Sequence, residues 1–464
     1  MKTKKLLSGI ALGAVALTAS AVSLFAPFKN LGANKVDAVA ATNPNKLIIY
    51  NVEDYMALGQ EDEYADMVAL FEAANPGITV EYSTWDTNET MYNAIKNGGK
   101  FDLVIPSDYM VGKMVQENLA HPITWSELTN AGTAKSNLNP KVLEYMEAYD
   151  ENNAHSVPYM YGTMGIMYNP TLDENLKADI EEQGWAVLWN EKYKGKITMK
   201  DAPRDSVAIA MLYANRGALL NAAKLDDSDQ TNDYDAEYQA LLSKVLNAED
   251  AFSLDIARAV LMDQIEVTAP DYETDAGKND LITGAGKKYM GLYWSCDAGI
   301  AMADNSDLEY YVPTEGSNVW IDNFVIPDCP NYNENIDAAH KFINFMLDVD
   351  NAAANMDYVG CESAVTAAVD LMKTEDWWGD VEDYDSEEQM QMYLDTVFTP
   401  SEVLEYCAPM KTFDADKTAE VSDLWESVKR AAANNLLWLW IVLGVVGAAG
   451  IGTGAYFLFI RKRR

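Results

Sequence analysis

Histidine is scarce in this chain. The three present, His121, His155 and His340, form no H-E-x-x-H pair, and no G-x-S-x-G elbow occurs. That removes the common zinc-hydrolase and serine-hydrolase signatures. Gly284-Ala285-Gly286-Lys287-Lys288 lacks the first glycine and the final Ser/Thr of a phosphate loop. No catalytic residues, cofactor or metal site are therefore expected, and the chain does not read as an enzyme. Basic residues are also few: 34 Lys and Arg stand against 72 Asp and Glu, a formal charge of −38. Nucleic acid is excluded as a partner, because phosphates need Lys and Arg to neutralise them. Such a surface draws in cations, or simply keeps an exported protein soluble. Cysteine is limited to Cys296, Cys329, Cys361 and Cys407. These allow two disulfides in three connectivities, or four free thiols in an organism living without oxygen.

The chain has 464 residues, 49% of them hydrophobic, so two domains or two lobes are expected. Residues 1–40 carry Lys2, Lys4 and Lys5, an apolar stretch from Leu6 to Phe28, and Ala38-Val39-Ala40. This pattern predicts an export signal, and its apolar stretch is also long enough for an uncleaved anchor. No cysteine lies near it to take a lipid. At the other end, Leu436 to Ile460 is uncharged and of spanning length, followed by Arg461-Lys462-Arg463-Arg464. The expectation is a single transmembrane helix over 436–460 with a basic cytoplasmic tail over 461–464, which would tether an extracellular domain to the cell membrane.

Between these ends, short apolar runs alternate with helical spacing. Leu47 to Asn51, Gly77 to Tyr82 and Phe101 to Ile105 read as strands, separated by helices near Glu63 to Ala74 and Asn88 to Asn97. The alternation predicts a doubly wound parallel sheet, with ligand bound beyond the strand ends at Asn51 to Tyr55 and Ser107 to Tyr109. His155 to Thr163 reads as an extended crossing between lobes. Asp201, ahead of Pro203, has the form of a helix start, with Asp205 in the first turn where the dipole favours an anion. The acidic stretches Asp226 to Glu237 and Glu375 to Glu388 read as solvated surface.

One stretch is out of keeping with a buried strand. Gly316 to Pro327 reads G-S-N-V-W-I-D-N-F-V-I-P, with a single carboxylate, Asp322, among bulky apolar neighbours. An unpaired ion is costly to desolvate, so Asp322 needs a partner. Either an internal Lys, Arg or helix N-terminus supplies it, or it arrives as a cationic ligand with Trp320 as a wall. Aromatics recur near strand ends at Tyr55, Tyr109, Trp294 and Trp320. Aromatic faces with carboxylates between them suit an elongated organic cation, although each aromatic taken singly also suits plain core packing.

Leu47 to Tyr55, Tyr82 to Thr84, Asn88 to Tyr92, Phe101 to Tyr109, Ser156 to Gly162, Trp294, Gly316 to Pro327 and Lys341 to Leu347 together resemble the spermidine/putrescine-binding proteins of polyamine ABC transporters. The resemblance implies a two-lobed α/β periplasmic-binding-protein fold that closes on a polyamine and passes it to permease subunits. It places lobe one at 41–161 with 321–369, and lobe two at 162–320 with 370–433. By the same likeness Tyr55, Ser107 and Tyr109 line one side of the cleft. Asp201 and Asp205 correspond to an acidic pair, Trp294 and Trp320 to aromatic walls, and Asp322 to the carboxylate that grips an amine. Two positions depart from the family: a tryptophan is replaced by Val52 and a ligand-side tyrosine by Cys361. Glu53 adds an acid beside Val52. A binding protein for another small cation or metabolite, and a surface sensor or adhesin, are the alternative readings.

Overall fold

The computed structural model describes residues 45–60, 64–223, 234–273, 276–284, 287–332, 334–374 and 386–434. The expected export signal at 1–40 and basic tail at 461–464 lie outside them, as do much of the acidic stretches 226–237 and 375–388.

Eleven strands form one sheet: β1 Lys46–Val52, β2 Thr79–Trp85, β3 Leu103–Val104, β4 Ser156–Tyr168, β5 Ile197–Lys200, β6 Asp271–Glu273, β7 Met290–Trp294, β8 Glu309–Tyr311, β9 Ser317–Val325, β10 Glu362–Ser363 and β11 Cys407–Ala408. The order along the sheet is β2-β1-β3-β9-β4-β7-β5-β6, with β8 and β10 also on β4 and β11 on β9. At one end β1 runs parallel to β2 and β3, and at the other β5 runs parallel to β6 and β7. These are the parallel units that alternating strands and helices predict. Between them β4 and β9 pair antiparallel, from Ser156 opposite Val325 to Thr163 opposite Val319. Most of the crossing expected at His155 to Thr163 thus lies in one thirteen-residue strand, buried at every position.

Most of the apolar burial falls into two clusters. One gathers Leu47, Ile49, Phe71, Val104 and Tyr161 with Ile321, Phe324, Phe342 and Val369, and extends to Val397, Phe398, Leu404 and Cys407. The other gathers Ile166, Trp185, Ile197, Met211, Leu261 and Leu292 with Met410, Leu424 and Val428. A two-lobed α/β periplasmic-binding fold accounts for both clusters and for the strand pair between them.

The expected C-terminal spanning helix requires correction. No helix among the described residues is long and apolar enough to cross a membrane, and residues 436–460 lie outside them. The last described helix, 415–434, buries Val421, Leu424, Trp425 and Val428 in the second cluster, so its apolar stripe is covered by protein. Membrane anchoring and a single-pass topology are withdrawn with it.

Candidate functional site

The local structure around Asp322 follows from strand alternation. In β9 only Trp320 and Asp322 are partly exposed, because alternate residues face one side of a sheet and their neighbours the other. Gly162, opposite Trp320 on β4, is required there: a Cβ would lie 2.5 Å from the indole Cζ2. Without that side chain the Trp320 ring lies across β4. Its Nε1 is buried and has no hydrogen-bond partner among the described residues.

Two chain segments converge on the Asp322 carboxylate. Tyr55, in the turn after β1, donates its hydroxyl to Oδ2 at 2.7 Å. That ring is held edge-on against Tyr159, with centroids 5.5 Å apart, and Tyr159 donates to the Tyr55 carbonyl at 2.8 Å. Ser107, at the start of the helix Asp108–Gln116, bridges backbone to backbone with Asp322 and offers its hydroxyl to the carboxylate. Asn88 fixes Ser107 from the other side, accepting from its N–H and donating to its hydroxyl, both at 3.0 Å. Burial raises the Asp322 carboxyl above its usual range, and the Ser107 and Tyr55 hydroxyls oppose that shift. Both donors are neutral. Among the described residues no Lys or Arg is paired with Asp322.

The two members of the expected acidic pair have different partners. Asp201 accepts from Trp425 Nε1 at 2.9 Å and is ion-paired with Lys429. Nor does it cap the following helix, which begins with Pro203 and has no side-chain cap. Asp205, by contrast, is 8% exposed in the first turn of the helix Pro203–Ala214, with the Trp294 side chain nearby. Burial pushes its carboxyl up to about 6, against the pull of Lys200 and Arg204.

Trp294, at the end of β7, carries a cation of the protein's own: Lys200 Nζ lies 3.8 Å from its ring centroid. Lys200 is 1% exposed and pairs with Asp297 Oδ2 at 2.6 Å, while Lys278 reaches Oδ1 at 3.1 Å. Although burial works the other way, the two ammonium groups hold the Asp297 carboxyl below its usual value. Tyr109 donates to Glu89 at 3.2 Å, and Arg204 lies between the Tyr109 ring, 5.6 Å from its centroid, and the Phe413 ring, 3.5 Å away.

Three contributors escaped sequence reasoning. Lys200 and Arg204 flank residues that drew notice, but a cation in a cation site carries no pattern signal. Asp108 sits between two expected residues, 3% exposed, with Oδ2 unpartnered among the described residues. Burial, and after it the Asp322 charge, raise its carboxyl well above the usual range. The S-D-Y run was the available clue.

A cavity of about 920 Å³ lies elsewhere, lined by Thr163, Tyr310, Asp395, Thr399 and Tyr406 among others, and by none of the expected site residues. Gly162 and Thr163 are consecutive on β4 and face opposite sides, so this cavity is behind the strand from Trp320 and Asp322. Among the described residues no group of three or more His, Cys, Asp or Glu is arranged to hold a metal ion.

Comparison with known proteins bears on this geometry. The model of the family described as bacterial extracellular solute-binding protein matches residues 66–382. The spermidine/putrescine-binding periplasmic protein of Escherichia coli (strain K12) is 29% identical over 345 residues, covering 73% of this chain and 83% of the relative. The putrescine-binding periplasmic protein PotF of the same organism is 27% identical over 346 residues, 72% of this chain and 82% of its own. Among solved structures, the spermidine/putrescine ABC transporter substrate-binding protein PotD from Streptococcus pneumoniae aligns with a TM-score of 0.61 and 29% identity, over 84% of this chain and 99% of that one.

Proposed function

Because the chain belongs to the bacterial extracellular solute-binding protein family, we propose that it captures a polyamine, putrescine or spermidine, outside the cytoplasm and delivers it to an ABC importer. It carries its ligand and does not transform it. The observation that carries the reading is the Asp322 carboxylate. It is held on one side by two neutral hydroxyls, is unpaired with any cation of the described protein, and has Trp320 beside it. An ammonium supplies the missing charge, and the ligand's methylenes suit the indole face.

In this reading Tyr55, Ser107, Tyr109, Trp320 and Asp322 contact the ligand from one side, and Asp205 and Trp294 from the other. Asp201, already paired with Lys429, shapes the wall. The lobes divide at 41–161 with 321–369 and 162–320 with 370–433. The two apolar clusters support that division, except that Val312, Val319, Met372 and 397–407 pack with the first. Closure of the lobes on the ligand follows from contact by both, since a ligand favours the state it binds better.

The test is thermal unfolding across a panel of putrescine, spermidine, cadaverine, amino acids and sugars. A ligand that binds only the native state raises the midpoint. A rise with the diamines and spermidine is expected; a rise with sugars alone would overturn the reading.

A further inference from the structure

Two thiols lie near the Tyr55 phenol that donates to Asp322. Cys361 is 2% exposed in the first apolar cluster. It follows Gly360, whose left-handed backbone, φ 70°, ends the helix Val349–Val359. Cys296 is partly exposed, sits in the first turn of the helix Ser295–Asp304 directly after Trp294, and packs against the same cluster. The two thiols are near enough to act on one another electrostatically, and both lie close to the Tyr55 phenol. Their segments are closely apposed, since a Cβ on Gly360 would lie 3.0 Å from Ile300 Cγ1 of that helix. The other two cysteines are engaged elsewhere. Cys329 Sγ faces the Phe101 carbonyl at 3.6 Å, and Cys407 lies in β11. All four are free thiols in this state.

We propose that Cys296 and Cys361 are a disulfide-forming pair, oxidised by a low-molecular-weight disulfide outside the cytoplasm, and that the bond joins the helix Ser295–Asp304 to the first cluster beside the ligand cleft. Cys296, the more exposed thiol, loses its proton and attacks one sulfur of the small disulfide. That S–S bond breaks, one small thiol leaves, and a mixed disulfide remains on Cys296. Cys361 then loses its proton and attacks Cys296 Sγ, expelling the second small thiol. Two protein thiols are oxidised and one small disulfide is reduced to two thiols, so electrons and protons balance. The order is fixed by burial, which together with the Cys296 thiol raises the Cys361 thiol well above its usual range and keeps it a poor first nucleophile. The closed loop would contain β8 and β9, and with them Trp320 and Asp322. A cross-link around so long a segment restricts the unfolded chain and stabilises the fold.

The test uses the full chain, reduced, desalted and exposed to oxidised glutathione without denaturant, then digested for mass spectrometry. The expected product is the Cys296 peptide joined to the Cys361 peptide with two hydrogens lost, while Cys329 and Cys407 stay free. Pairing with Cys329 or Cys407, or a glutathione adduct that persists on Cys296 without linkage, overturns the proposal. Cys361→Ser should accumulate that adduct on Cys296, and Cys296→Ser should leave Cys361 unmodified; equally rapid modification of Cys361 in the latter would refute the order of attack. The oxidised wild-type chain should also melt at a higher temperature than the reduced one, with no such difference in Cys296→Ser. Equal midpoints in the wild type would show that the pair is no staple.

Discussion

Tyr55 and Asp322, 267 positions apart in the chain, meet at 2.7 Å, with the phenol donating to the carboxylate. The contact ties the turn after β1 to β9 and aims a negative charge that no Lys or Arg among the described residues neutralises. A buried ion pair would resist losing either partner. A carboxylate held by hydroxyls tolerates the loss of its charge and gives up only what the charge was for.

Asp322→Asn should therefore leave the unliganded protein nearly as stable as wild type while weakening polyamine binding. Loss of a desolvated charge partner costs about 2–5 kcal/mol, roughly thirty-fold to several-thousand-fold in affinity. Calorimetric titration with putrescine and spermidine, beside a melting curve without ligand, measures both. Unchanged affinity would remove Asp322 from the site.

Affinity should depend on pH through Asp205, whose carboxyl burial lifts to about 6. A ligand ammonium stays protonated throughout, so binding weakens as falling pH neutralises the acid, by up to about tenfold per unit below the midpoint. Titrations between about pH 5 and pH 8 should show this slope in wild type, and Asp205→Asn should flatten the part centred near about 6. A slope of the same size in the variant would assign it to another group.

Lys200→Met should destabilise the protein whether or not ligand is present, since it removes one of two ammonium groups from the buried Asp297. Breaking a buried pair costs about 3–5 kcal/mol, and the low end applies because Lys278 remains. The measurement is chemical denaturation. A denaturation midpoint equal to wild type would mean that the Lys200–Asp297 contact contributes nothing.

A second pH effect belongs to stability. Burial pushes the Glu362 carboxyl up to about 7, although Tyr161 and the Thr399 N–H donate to it. A raised carboxyl binds its proton more tightly folded than unfolded, so its stabilisation is present at low pH and is lost as pH rises from the unfolded value through about 7. Relative to Glu362→Gln, which keeps the protonated shape, wild type should lose on the order of 3 kcal/mol across that window. Unfolding free energies of both proteins against pH check it; parallel curves would contradict the assignment.

The fold was legible because its parallel units announce themselves locally: β1 and β3 are short apolar runs and β2 an alternating one, at regular intervals and separated by helices. Asp322 stood out for a related reason, as a charge inside a strand pattern that excludes charge. Asp201 misled because its place before Pro203 imitates a helix cap, whereas its partners, Trp425 and Lys429, lie more than two hundred residues away and leave no trace nearby. Lys200 over Trp294 was invisible for the same reason, since a cation–π pair between two strands has no sequence period. The C-terminal apolar stretch was read by length and composition alone, and the described helices contain no membrane span.

The antiparallel pairing of β4 with β9 has a kinetic consequence. Val157 finds Phe324, and Thr163 finds Val319, only after the chain has closed a loop containing most of the second apolar cluster. Neither cluster can be completed by contiguous chain, because β9 also pairs with β3 and β11. Contacts so distant in sequence are entropically costly to nucleate and slow to form. Folding should thus be slow relative to a helical protein of similar stability, and a slowly folding chain stays longer in the extended state that an export channel can thread.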